Sequence, residues 1–294
     1  MISHTANRIF RLLIILKLSL LMNNSSYGQD RWFQIELSIF SNENVEDREA
    51  EYWTPEDTDL SYPNNSRRLS LLADAFLPEE NINDDPNAEE PLSQDDISNM
   101  IRVDQLKNIK PRERNADSDF KLIDFARDDF AQLSHDDSDF QQTNRTLERS
   151  SEHRLLFHGL WRQAVQQSSA AIPIYIEGGL NYGEDYELQG SVTIRFNDAE
   201  DRVVVDTHIW LVEYSIVKNT DTEWVLPEIP KPIRIDSPIN PSSLTYFPNK
   251  VYLMKQSRQM RSNEFHYLDH PALGLVISVK PYDVPSSQAI KGHF

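Results

Sequence analysis

Residues 31–40, RWFQIELSIF, put Phe33, Ile35, Leu37 and Ile39 on one side of an extended chain and Gln34, Glu36 and Ser38 on the other. A period of two is the mark of a strand with one face against a core. Residues 187–196 repeat it, with Leu188, Val192, Ile194 and Phe196 set against Glu187, Gln189, Thr193 and Arg195. Asn197-Asp198 then begins a turn, and the run from Arg202 to Ile216 returns as the second arm of a hairpin. Shorter β-rich runs lie at 172–177, ended by Gly178-Gly179, and at 250–260 and 273–279. Strands that follow one another in sequence favour antiparallel pairing. The chain has no cysteine, so burial alone must hold it together, and 39% hydrophobic residues suffice for a full core.

Helical spacing is expected in one long stretch, 147–167. Leu156, Leu160 and Ala164 recur every four residues, as do Phe157, Trp161 and Val165. Arg154, His158 and Arg162 form a third such row, read as a solvated face with a ligand-facing row as the alternative. Residues 67–77 suggest a short helix, and residues 119–133 a second one or a ragged extension. An aromatic, proline-bearing segment with Tyr52, Trp53, Pro55, Tyr62 and Pro63 is irregular, and the proline-rich stretch 224–247 reads as a structured loop or edge excursion. From Pro78 to Asp96 acids and prolines dominate and no base occurs. Such a stretch buries too little to offset its ordering entropy, which predicts a disordered acidic insertion over about 78–119. Its functional alternative is a docking arm for a basic partner. The fold class expected is α+β: a mostly antiparallel sheet with one or two main helices packed on one face, interrupted by that insertion.

The N-terminus has the marks of an export signal. Arg8 and Arg11 precede an apolar run over 12–22, and Ser26-Tyr27-Gly28 offers small residues at a cleavage site. That run of roughly 11 residues is too short for a bilayer span of about 20, and Lys17 interrupts it. Residues 1–28 are therefore expected to be removed, leaving an exported chain at 29–294, a single domain with no membrane anchor. The whole chain carries 29 Lys and Arg against 47 Asp and Glu, a net charge of −18. The expected leader takes three of those bases and no acid, so the remainder is more acidic still. That balance argues against nucleic acid as a partner.

The few cations concentrate near the C-terminus. Between Lys250 and Lys280 lie Lys255, Arg258 and Arg261, with Glu264 and Asp269 as the only acids. Two readings compete for this segment, 256–281. In the first, His266, Asp269 and His270, with His208 as a fourth ligand, hold a metal for hydrolysis. The spacing fits loosely, because Pro271 cuts short any helix that would align the histidines, and in a turn between strands such residues bond backbone groups instead. In the second reading a hairpin presents Arg258 and Arg261 to carboxylates, with Tyr252, Tyr267 or Phe265 stacking on sugar faces. His266, Asp269 and His270 then belong to the same binding surface. Murein supplies both chemistries, although the same tyrosines could equally pack in the sheet. No G-x-S-x-G elbow, phosphate loop or fixed carboxylate pair is present, so nothing signals an enzyme and no cofactor is called for.

Three blocks carry a family resemblance: RWFQIELSIF (31–40), HRLLFHGLWRQAV (153–165) and SRQMRSNEFHYLDHPALGLVISVKP (257–281). Together they resemble the CsiV family of peptidoglycan-binding proteins. The resemblance implies a periplasmic, non-enzymatic protein that binds peptidoglycan and supports wall synthesis. It implies action through an LpoA-type outer-membrane lipoprotein that activates a class A penicillin-binding protein. It carries over no catalytic or ligand-contacting residue. The competing functions are a metal-dependent wall hydrolase using His266, Asp269 and His270, and a pure protein–protein adaptor.

Overall fold

The alternating runs become strands of two four-stranded antiparallel sheets. The computed structural model describes residues 31–70, 124–219, 222–231 and 244–285. Sheet A has the order β2-β1-β8-β7, from β1 (Trp32–Asn42), β2 (His153–Ala164), β7 (Phe265–Asp269) and β8 (Leu273–Tyr282). Sheet B runs β3-β4-β5-β6, from β3 (Pro173–Tyr182), β4 (Asp185–Phe196), β5 (Val203–Ser215) and β6 (Phe247–Met260). The expected hairpin is β4–β5, with Leu188 opposite Leu211 and Phe196 opposite Val203. Gly190 is required within it: its φ is +131°, and a Cβ there would stand 2.3 Å from the His208 carbonyl oxygen.

The inward faces of both sheets share one core. Ile35, Leu37 and Ile39 of β1 join Val192 and Ile194 of β4, Val205 and Ile209 of β5, and Leu275 and Ile277 of β8. Phe33 meets Phe196 across the sheets edge to face, with ring centroids 5.8 Å apart. The sandwich is stitched along both edges. Gln256 Nε2 donates to the Asp269 carbonyl at 2.8 Å on one side, and Phe196 N donates to the Gln166 carbonyl at 2.8 Å on the other.

Helices are few. α1 (Val45–Arg48) is one turn, with Asn44 as its N-cap. A 3₁₀ turn spans His135–Asp137, and α2 (Gln141–Arg149) follows on the outer face of sheet A, where its Asn144 Oδ1 accepts from Ser38 Oγ at 2.7 Å. The architecture agrees with the expected class, largely antiparallel with a helix on one face.

The long helix expected at 147–167 is absent. The helix ends at Arg149, and 153–164 is a strand. Residues four apart share a face in a strand as they do in a helix, so the spacing could not separate the two. β2 is also covered on both sides: Trp161 points into the core and Leu160 lies under 130–133, so no alternation marks it. The row Arg154, His158 and Arg162 is tied into ion pairs and hydrogen bonds and does not form one solvated face. Arg154 pairs with Glu187, His158 with Glu36, and Arg162 donates to Gln34 Oε1 at 3.1–3.2 Å while lying over the Tyr282 ring.

Of the segment 119–133, the described part is a ragged extension. Phe130 N bonds the Arg162 carbonyl and Leu133 N the Leu160 carbonyl, at 2.8 and 2.7 Å. Of 67–77, residues 67–70 are extended, bridged to Ile174 and Ala131, so the helix expected there does not form over them. The rest of that segment, the acidic insertion and the N-terminal signal lie outside the described residues. From the proline-rich stretch, Trp224, Leu226 and Ile229 join Tyr62, Tyr175 and Trp210 in a second apolar cluster on the outer face of sheet B.

Candidate functional site

The C-terminal segment expected as one hairpin is divided between the sheets. Residues through Met260 belong to β6, the chain turns at Asn263 (φ +65°), and β7–β8 form the hairpin in sheet A. The candidate residues consequently fall in three places. Arg258 and Arg261 are exposed and have no ion-pair or hydrogen-bond partner among the described residues. Arg261 shares a shallow hollow of about 350 Å3 with Arg202, Glu264 and His266, and His266 Nε2 stands 3.6 Å from Glu264.

Tyr267 and Asp269 lie on the outer face of sheet A, where the phenol donates to Asp269 Oδ1 at 2.7 Å and the ring stacks on Phe40. Burial, then the adjacent Asp269 carboxylate, pushes the Tyr267 hydroxyl pKa up. His270 is turned the other way. It is buried, its Nδ1 accepts from Ala272 N at 3.1 Å, and its ring packs along Trp53. Burial holds its pKa below the ordinary 6.5, against the pull of Glu51.

This division removes the metal reading. The segment 265–269 is a strand and not a turn, so His266 and His270 flank the buried Leu268 while Asp269 points to the opposite face. Four residues of extended chain separate the histidines by roughly 13 Å, at about 3.3 Å per residue. His208 donates instead to the Asp59 carbonyl at 2.8 Å. Among the described residues, no three His, Asp or Glu side chains are placed to hold a metal ion.

Tyr252 leads to a different place. It lies in the buried stretch of β6, Val251 to Met254, and its hydroxyl donates to Glu213 Oε1 at 3.0 Å. Burial, reinforced by Glu213, raises its pKa. Beside it opens a cleft of about 390 Å3. Its walls come from the end of α1 and the segment after it (Arg48, Glu49, Glu51, Tyr52 and Trp53), from Asn219, Thr222 and Trp224, and from Asn249 to Tyr252. Tyr52 is 85% exposed at the rim, while Trp224 is buried in the wall. Trp53 bridges the main core and the outer cluster, and its indole Nε1 is buried without a partner.

Arg48 anchors the cleft. Its side chain is 12% exposed; Nη1 bonds Glu213 Oε1 at 3.0 Å and Nε donates to the Asn42 carbonyl. Nη2 lies 3.0 Å from Glu43 Oε1, within ion-pair reach but at an angle that makes no hydrogen bond. Lys250 pairs with Glu49 at 3.4 Å on the rim. Of this site, sequence reasoning found Tyr252 and His270, the latter through its contact with Trp53. The adjacent aromatics Tyr52-Trp53 were the available signal for the rest.

A second charged group sits beneath α2. Glu36 is 3% exposed and accepts from His158 Nε2 at 3.0 Å, from the N–H groups of Asp139 and Phe140 at 2.9 and 3.1 Å, and from Ser138 Oγ. Burial raises its pKa, but those four donors outweigh it and hold the carboxyl below 4.5. His135 Nδ1 faces His158 Nδ1 at 3.1 Å. Ser138 gives its proton to a carboxylate and not to an imidazole, so it is not set up as a nucleophile. The group fastens residues 135–140 to the sheet.

A family model described as "Peptidoglycan-binding protein, CsiV" matches residues 9–282. The chain belongs to the CsiV family. No curated protein and no solved structure matches it. The three blocks of CsiV resemblance fall on β1, on β2, and on the end of β6 with β7 and β8, so between them they contain every strand of sheet A. The cleft, built largely from other segments, stands outside those blocks. No helix among the described residues is long and apolar enough to cross a membrane.

Proposed function

We propose that this protein binds peptidoglycan without altering it chemically, and that the cleft beside Tyr252 is where it does so. The observation that carries this reading is an exposed tyrosine beside a tryptophan whose buried N–H lacks a partner, in a cleft that also offers amides. Aromatic faces stack on the apolar faces of sugars, and an unpaired buried donor costs free energy until a ligand satisfies it. Membership in a peptidoglycan-binding family supplies the ligand class.

The finer parts of the proposal rest on the sequence. The chain works in the periplasm after residues 1–28 are removed, as one domain over 29–294. It supports wall synthesis through an LpoA-type lipoprotein and its class A penicillin-binding protein. Arg258 and Arg261 form a second contact, aimed at the carboxylates of peptide stems.

Sedimentation with purified sacculi tests the central claim. The full mature chain should pellet with them, Tyr52→Ala should pellet markedly less, and no muropeptide should be released. A chain that stays in the supernatant at low salt sinks the proposal, and released muropeptide sinks its non-catalytic part.

A further inference from the structure

We infer that the cleft reads the uncharged amino-sugar chain of murein and not the carboxylates of its stems. This rests on the peptidoglycan reading above and goes further, because murein offers two chemically different handles. A carboxylate needs a cation free to receive it. The cleft has two cations, and both are engaged: Arg48 by Glu213 and Glu43 at 3.0 Å each, Lys250 by Glu49 at 3.4 Å. Glu51 adds a further negative charge to the wall, with His270 Nε2 3.6 Å from its carboxylate. His270 itself is held neutral by burial. An incoming carboxylate would have to displace a glutamate from Arg48 while facing Glu49 and Glu51, a like-charge arrangement that disfavours it.

A neutral pyranose meets none of that opposition. Tyr52 offers a ring face almost wholly open to solvent. Trp53 lines the cleft and its Nε1 is a buried donor with no acceptor among the described residues; a turn of the indole toward the cleft would let the carbonyl of an acetamido group or a ring hydroxyl meet that need. Asn219 and Asn249, joined at 3.4 Å, place amides on the same wall. Carboxylates already paired with the cleft's cations, such as Glu213 on Arg48, are disturbed least by ligands that donate hydroxyls and carry no charge. The volume of about 390 Å3 is at the small end of ligand sites, which run from about 300 to 1,000 Å3, as a short stretch of sugar requires.

Two soluble probes separate the handles: an uncharged oligomer of N-acetylglucosamine, and the free stem peptide. Trp53 and Trp224 in the wall make intrinsic fluorescence a direct readout. The oligomer should bind the full mature chain with little dependence on salt. Tyr52→Ala should weaken it by about tenfold, the loss expected for one stacked ring. Trp53→Phe, which keeps the ring and deletes the N–H, should also weaken it; the exposed Tyr52 position keeps the test independent of folding. Stem-peptide affinity should be the same in wild type and Tyr52→Ala. If sacculi are bound but the oligomer is not, or if the stem peptide displaces them from the cleft, the sugar assignment is overturned and the peptidoglycan reading stands. If sacculi are not bound at all, the peptidoglycan reading itself falls.

Discussion

Around the cleft each cation is matched by a carboxylate, whereas at the end of β6 Arg258 and Arg261 face solvent with none. Arg48 is half-buried, hydrogen-bonded through Nη1 and Nε and ion-paired through Nη2, and gives the cleft its shape. Arg258 lies about 26 Å of extended chain beyond Lys250, at about 3.3 Å per residue, and neither it nor Arg261 braces a neighbouring element through an ion pair among the described residues. In a chain of net charge −18 such unpaired cations sit inside a repulsive field for anions and act only over about a Debye length, 8–10 Å. A paired cation is part of the architecture, and an unpaired one is available for contact. The two regions should therefore respond in opposite ways to the loss of charge.

Arg48→Ala is the severest break. It strands Glu213 and Glu43 beside the core and should lower stability by about 2–3 kcal/mol, below the cost of about 3–5 for a fully buried pair because both glutamates are a third exposed. Urea unfolding measures it, and a loss under 1 kcal/mol would mean that the ion pairs do not hold the cleft. Replacing both Arg258 and Arg261 by Gln should change stability by no more than about 0.5 kcal/mol, as exposed substitutions do. Retention on sacculi should weaken, and its dependence on salt should flatten. Unfolding of that double variant, or unchanged retention, would erase the contrast between the regions.

The smallest effect is a pH dependence at the back of the cleft. Because the folded pKa of His270 lies below 6.5, the unfolded chain takes up its proton first as pH falls. Stability should decline as pH drops through 6.5 and level off below the folded pKa. His270→Asn should remove that part of the decline in denaturation curves recorded across the window. Glu36 acts lower: with a folded pKa below 4.5, its contribution is present above 4.5 and lost as pH falls through the folded value.

The strands that alternate were legible in the sequence because each has one buried and one polar face. β1 and β4 fall close to the expected bounds, and so does β5, which was read as the return arm after the Asn197-Asp198 turn although Trp210 and Val212 cover its outer face. β2 was read as a helix because it is covered on both faces, which erases the alternation, and because a four-residue repeat suits either structure. β7 was passed over because its Phe265, Tyr267 and Asp269 point outward at a sheet edge, leaving Leu268 as its one fully buried side chain. The cleft was out of reach for a different reason. Its walls come from residues near 50, 220 and 250, and only the approach of α1 to β6 unites them. The sequence signalled where charge changes sign, and the arginines there proved free. It could not signal which cations are neutralised by partners more than a hundred residues away, as Arg48 is by Glu213.

The central pair of sheet A joins β1, the first described strand, to β8, the last, with Trp32 opposite Tyr282. A chain made from its N-terminus therefore cannot complete this sheet until residues 273–282 are available. β1 can pair with β2 once residues 153–164 are made, but its other edge, opposite β8, stays open through almost the whole of synthesis. Closing so long a loop makes folding slow relative to domains of local contacts. Under the export proposed above, that delay would be an advantage: the complete sheet cannot form before its last strand has passed.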